Sequence, residues 1–171
     1  MTPEELRQLV DGLAGLPYGG EAVDQRTHAL QCAWHAQRAG ADDDLVLAAL
    51  LHDAGRAVRP DLDHERSGAE LGRRLLGERA GWLIGSHAQA KRYLVAVEPA
   101  YAATLSPASI ESLRAQGGPM TAAEAGRFAA HEWAADAVRL RRWDDLAKVP
   151  GGPEADLDGL LEVYRRRTSR T

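Results

Sequence analysis

Cys32 is the single cysteine among 171 residues, so no disulfide can form within the chain. Nowhere do apolar residues run for the roughly 18 positions that a membrane-crossing helix needs, and the first residues lack the apolar core of a secretory signal. A cytoplasmic protein with no membrane role is the expectation. An excess of positive charge is missing too. With 21 Lys and Arg against 25 Asp and Glu, the net charge of −4 offers no broad face to nucleic acid, although a local pair of cations can still receive a small anion. Strand-like alternation, internal repeats and low-complexity tracts are also lacking.

What is present is a helical pattern. The length and a composition of 44% hydrophobic and 27% charged residues fit one globular domain over 1–171, with its core at about 20–150 and a C-terminal tail at 151–171. Thr2 caps a first helix that Pro3 opens and that ends near Leu13. A loop at Leu16–Glu21 precedes a helix from about Gln25 to Ala39, stopped by Gly40, and the acidic cap Asp42–Asp44 starts a short apolar helix ending in Leu45–Leu51. A loop then runs through Pro60 to Asp63. Helices are predicted at about 64–77 and 79–97. Pro99, Pro107 and Gly117-Gly118-Pro119 mark short helices, Thr121 to Glu124 reads as a capping box, and a long helix covers 132–147. Beyond Pro153 a short amphipathic helix docks, and the Arg-rich end from Arg165 is expected to fray.

Against this background four of the six histidines and two aspartates stand in the order His28, His52-Asp53, His64, His87, Asp144. Helix-sized gaps let successive helices each bring a donor to a common centre. Imidazoles and carboxylates suit iron, manganese or zinc, and the two oxygens of Asp53 can bridge two cations. The pair His52-Asp53 closes an apolar run, where an unpaired carboxylate is costly and a bound cation removes the cost. Alone, the dipeptide also fits a histidine capping a helix end beside a solvated aspartate; the ordered set carries the metal reading. His35 and His131 are read as ordinary core or surface histidines. Trp34, Trp82, Trp133 and Trp143 are read as core, with Trp143 a candidate pocket wall.

The pattern His28, His52-Asp53 and Asp144 resembles the HD-domain superfamily over most of the chain, which implies an all-α HD-domain helical bundle with a dinuclear metal centre in its core. His64 and His87 look like the second-metal ligands of dinuclear members, which include hydrolases and the oxygenases similar to myo-inositol oxygenase. The loop Tyr18-Gly-Gly-Glu21 is similar to that of the mixed-valent diiron oxygenases that cleave 1-hydroxyphosphonates, which implies Tyr18 over the metals and Glu21 at the amino end of a substrate such as 2-amino-1-hydroxyethylphosphonate. Two further matches, His87-Ala-Gln-Ala-Lys91 and Arg141-Arg-Trp-Asp144, place Lys91 beside His87 and Arg141 beside Asp144 by helical spacing. These two cations suit a phosphonate. Ser109 is, by the same likeness, an anion-binding hydroxyl. Asp144 rather than Asp145 is taken as the ligand because it stands four residues before Lys148, as in the family. One residue departs from the pattern: relatives carry a histidine three residues after the paired aspartate, where this chain has Arg56, a permanent charge that cannot exchange protons.

Carried over, the resemblance implies that Asp53 bridges an Fe(II)/Fe(III) pair, with His28, His52 and Asp144 on one iron and His64 and His87 on the other. It implies O2 as co-substrate, a small organophosphonate as partner, and cleavage of its carbon–phosphorus bond to phosphate and a carboxylic acid. Tyr18, Glu21 and Lys91 become the catalytic candidates, and Glu21, Lys91, Arg141, Ser109 and Arg56 the substrate-binding ones. Two other readings fit the same ligands: a metal-dependent phosphohydrolase of nucleotides or small phosphate esters, and a noncatalytic ligand-binding module. The substituent on the substrate's second carbon, the oligomeric state and the metal stay open at this stage.

Overall fold

Side-chain caps decide where half of the helices begin. The computed structural model describes residues 1–58 and 64–169, in which twelve helices are found: α1 (Pro3–Asp11), α2 (Gln25–Arg38), α3 (Asp43–Leu51), α4 (Gly55–Val58), α5 (His64–Leu76), α6 (Glu78–Gly85), α7 (His87–Val97), α8 (Pro99–Ala102), α9 (Pro107–Ala115), α10 (Ala122–Ala129), α11 (Ala134–Leu146) and α12 (Leu157–Thr168). The loop expected to run through Pro60 to Asp63 lies outside the described residues. Thr2 and Thr121 form capping boxes with Glu5 and Glu124, and Asp24, Asp42, Ser106 and Asp156 each accept a backbone N–H at the start of α2, α3, α9 and α12. No strand ladder forms among the described residues, only an isolated bridge between Pro17 and Asp24. The fold is all-α.

Leu45 to Leu51 are all buried, so α3 is apolar around its whole circumference and runs through the middle of the molecule. Helices α2, α6, α11 and α12 pack against it, α11 also crosses α2 and α7, and α5 lies along α6. Each fully buried leucine there contributes about 1.5–3 kcal/mol. A smaller cluster of Leu94, Tyr101, Leu105 and Leu113 ties α8 and α9 onto α7. Among the described residues no helix is long and apolar enough to cross a membrane.

Four expectations are corrected. The predicted helix 79–97 breaks at Ser86, whose N–H is shared between the carbonyls of Trp82 and Leu83 and whose backbone leaves helical geometry at φ −102°, ψ 0°. Residues 55–58 are not loop but a short helical turn. At the other end α12 does not fray at Arg165. Its Arg167 donates to Asp44 at 2.6 Å and to the Leu76 carbonyl, anchoring the last turn on α3 and α5. Trp143 is buried in the core beneath Arg139 rather than forming a pocket wall.

Gly55 fixes how closely α4 meets α5. A Cβ at that position would lie 2.3 Å from the His64 carbonyl oxygen and 2.6 Å from the Gly68 nitrogen, so only glycine permits this approach. The Ser67 hydroxyl then donates to the Gly55 carbonyl at 3.0 Å and locks the contact. As a result the first residue of α5, His64, stands against the end of α3.

Candidate metal centre

Six side chains from five helical segments meet in the interior. His28 comes from α2, His52 and Asp53 follow α3, His64 and His87 open α5 and α7, and Asp144 lies near the end of α11. Asp53 is shared between two groups, His28–His52–Asp53 and Asp53–His64–His87, each compact enough to hold one ion. Its Oδ2 is 3.9 Å from His28 Nε2 and 3.6 Å from His52 Nε2. Its Oδ1 is 3.4 Å from His64 Nε2 and 3.7 Å from His87 Nε2. One oxygen thus faces each imidazole pair, and Asp144 Oδ1 joins the first group at 3.5 Å from His28 Nε2.

The tautomers follow from the outer hydrogen bonds. Nδ1 of His28, His52 and His87 lies 2.8, 2.8 and 2.7 Å from the carbonyls of Ala147, Ala49 and Ile84, and a carbonyl can only accept. The proton therefore sits on Nδ1, and the Nε2 lone pair points inward. His64 Nδ1 is 3.3 Å from the Glu65 carboxylate, with the same consequence. The break at Ser86 is what turns His87 toward Ile84 and the centre.

Two features of the chain fit a bound cation in each group. His28 Nε2 and His52 Nε2 are 3.1 Å apart with no proton left to place between them. That spacing matches two nitrogens held side by side on one cation at about 2.1 Å. Asp53 Oδ1 is buried without a hydrogen-bond partner, although it faces two imidazole lone pairs. Burial pushes His28 and His87 down to about 4, so both are neutral at physiological pH. Burial also opposes the charge on Asp53, but that carboxyl is held well below its ordinary range, with the permanent charge of Arg56 beside it. Neutral nitrogens around a buried anion are what a metal requires. The residues thus have the donor chemistry to hold metal ions.

Above the centre opens a cleft of about 860 Å³. Tyr18 stacks on His28 with ring centroids 3.8 Å apart and donates to Asp144 Oδ1 at 3.2 Å. Burial, followed by Asp144 and Asp53, raises the Tyr18 phenol well above its usual value, so it stays protonated. The turn that carries it needs positive φ at Gly19 and Gly20, at 51° and 83°, which glycine adopts without strain. Glu21 accepts from the Ser106 hydroxyl and pairs with Lys148 at 3.2 Å. Lys91 is buried, donates to Ser112 Oγ at 2.6 Å, and is lowered to about 8 by burial and then by Arg141.

Arg141 donates to Asp144 Oδ2 at 2.6 Å, and its other nitrogens reach Asp145 and the Tyr101 hydroxyl at 3.1 Å. Asp145 is thereby a neighbour that aims Arg141. Ser109 is buried in the wall and accepts from Lys148 at 2.9 Å. Arg56 lines the same cleft and lies against His64 and Asp53. All six expected donors and Tyr18, Glu21, Lys91, Arg141, Ser109 and Arg56 thus lie in or around one space. His131 stacks on Trp82 and His35 is a half-buried residue on α2, both away from the centre.

Lys148, Ser106, Ser112 and Tyr101 were not assigned a role from sequence. Lys148 had a signal, since it follows Asp144 by four residues. The other three meet cleft residues only through tertiary packing, Ser106 at Glu21, Ser112 at Lys91 and Tyr101 at Arg141.

A family model described as HD domain matches residues 26–117. The chain is 39% identical over 154 residues to a hydroxymethylphosphonate dioxygenase from Gimesia maris, covering 84% of this chain and 77% of that protein. It is 35% identical over 141 residues to a [1-hydroxy-2-(trimethylamino)ethyl]phosphonate dioxygenase (glycine-betaine-forming) from Leisingera caerulea, covering 77% and 72%. An uncharacterised protein of Acanthamoeba polyphaga mimivirus is 31% identical over 153 residues, covering 82% and 70%.

Proposed function

Because this chain belongs to the HD-domain family, we propose that it is a diiron dioxygenase that cleaves the carbon–phosphorus bond of a 1-hydroxyphosphonate. The observation that carries the reading is the single carboxylate of Asp53, with one oxygen toward each of two imidazole pairs, at the floor of a cleft that holds a buried ammonium. Two relatives named as dioxygenases of hydroxyphosphonates support it. Iron suits this nitrogen and carboxylate donor set, with His28, His52 and Asp144 on one ion, His64 and His87 on the other, and Asp53 on both. Bound as Fe(II) and Fe(III), the pair supplies the redox chemistry by which O2 oxidises the hydroxyl-bearing carbon.

The protein's own share is binding and orientation. Lys91, whose partner Ser112 is neutral, receives the phosphonate, and Arg141 completes the anion site beside Asp144. Ser109 and Arg56 border the same space, and Glu21 faces the substituent on the substrate's second carbon. Tyr18 lies across the first ligand group and shields it from water until substrate enters. Holding the C1–H bond toward the centre while neutralising the dianion lowers the barrier by positioning and electrostatics. Overall, one hydroxyphosphonate and one O2 give one carboxylic acid and one phosphate: the carbon loses four electrons and O2 gains them, and every oxygen is retained in the products.

Anaerobic, iron-loaded protein mixed with hydroxymethylphosphonate or 2-amino-1-hydroxyethylphosphonate, then exposed to O2, is expected to release phosphate with equal O2 uptake. No oxygen-dependent phosphate from either compound would overturn the assignment. Release from a phosphate ester by manganese-loaded protein without O2 would replace it with hydrolysis.

A further inference from the structure

Arg56 reaches for the donor atoms that the second cation needs. Its Nη2 donates to His64 Nε2 at 3.1 Å, and its Nε lies 3.5 Å from Asp53 Oδ1. Those are two of the three groups that form the Asp53–His64–His87 cluster. The first cluster is arranged differently. Arg141 takes the outer oxygen of Asp144, Oδ2, and leaves Oδ1 facing His28, while the group that touches this Oδ1 is the uncharged phenol of Tyr18. Exposure is unequal as well: the side chains of His28 and His52 are 0% exposed, that of His64 is 17% exposed, and that of Arg56 is 42% exposed.

We infer that Arg56 acts as a displaceable cation seated in the second metal site, which makes the two sites unequal and couples filling of the second to an anion in the cleft. The inference rests on the dinuclear reading above. A guanidinium and a divalent ion cannot share the one lone pair of His64 Nε2, and beside Asp53 Oδ1 their like charges repel. Arg56 therefore has to leave as the metal arrives. With nearly half of its side chain in solvent and a long flexible stem, it can turn into the cleft whose wall it already forms. There a phosphonate dianion offers the forked acceptor that a guanidinium matches. A phosphonate in the cleft gives the displaced charge a doubly charged partner, so phosphonate strengthens metal binding, and by linkage the metal strengthens phosphonate binding equally.

The test uses the full chain stripped of metal, Mn(II) as the probe, and the free Mn(II) electron paramagnetic resonance signal as the readout. The wild type is expected to bind one ion tightly and a second at least about tenfold more weakly, the scale of a lost charge-assisted hydrogen bond. Methylphosphonate, which has no hydroxyl to oxidise, is expected to tighten the second ion and not the first. In Arg56→Gln the second ion is expected to bind about tenfold more tightly, and the methylphosphonate effect to shrink. Arg56→Ala repeats the measurement should glutamine find a new partner. Two equally tight ions in the wild type, or a second site unchanged by both substitutions, would overturn the inference alone. One ion throughout, in every variant and with methylphosphonate, would overturn the dinuclear reading and this inference with it.

Discussion

Lys91 is a buried ammonium whose hydrogen-bond acceptor is the neutral hydroxyl of Ser112. Burial, followed by repulsion from Arg141, lowers its pKa from the usual 10.5 to about 8, so the charge is present below that pH and lost above it. The KM for a hydroxyphosphonate is accordingly expected to climb as pH rises through about 8. In Lys91→Arg, which keeps its charge, this rise should vanish, whereas Lys91→Gln should raise KM about ten- to hundredfold at neutral pH. KM profiles of the three proteins check this, and an unchanged profile in the arginine variant would remove Lys91 from anion binding. The histidines and Asp53 were legible because such groups in a fixed order have few purely structural uses together, whereas Asp144 was told from Asp145 only by the family pattern. Lys91 and Arg141 were legible because helical spacing ties each to a donor. Tyr101 and Ser112 were not, since 40 and 21 positions separate them from the cations they hold and no local pattern links the partners.

At the scale of elements, the contact between α4 and α5 decides where the second group of donors stands. Gly55→Ala would bring a methyl group within 2.3 Å of the His64 carbonyl, which forces the start of α5 away from Asp53. The expected result is a loss of about 1–3 kcal/mol in stability and a fall in bound metal from two ions toward one. Thermal unfolding and metal analysis of the purified variant measure both; normal metal content would show that α5 tolerates the shift. Helix starts were readable from Thr2, Asp42 and Thr121, because a side-chain oxygen three residues before a free N–H is a local device. The break at Ser86 was not readable, because a single glycine such as Gly85 is tolerated inside a helix and the helical pattern continues from α6 into α7. It is stabilised by the turn of His87 onto Ile84, a contact that matters only once the centre exists. Likewise Arg165 to Arg167 read as a solvated end, while the partners of Arg167, Asp44 and the Leu76 carbonyl, lie far along the chain.

For the molecule as a whole, the donors come from α2, α5, α7, α11 and the end of α3, so bound metal would add a bridge between helices that otherwise meet mainly through apolar packing. Stripping the protein with a chelator is therefore expected to lower its melting temperature. At metal a hundredfold above its dissociation constant, the linkage is about 2.7 kcal/mol for each site, or roughly 5–10 °C in a chain of this size. Differential scanning calorimetry before and after chelation, with metal content confirmed, tests it; no change in melting temperature would mean that metal does not bind the folded state selectively. The hydrogen bond from His28 to the Ala147 carbonyl spans 119 positions. On a ribosome, His28 emerges long before the segment that fixes its tautomer and long before Asp144, so an ion caught early by the nascent polypeptide would meet an unfinished nest. The last of the six donors, Asp144, is thus made only with α11, so the first donor group takes its full geometry after nearly the whole chain has been synthesised.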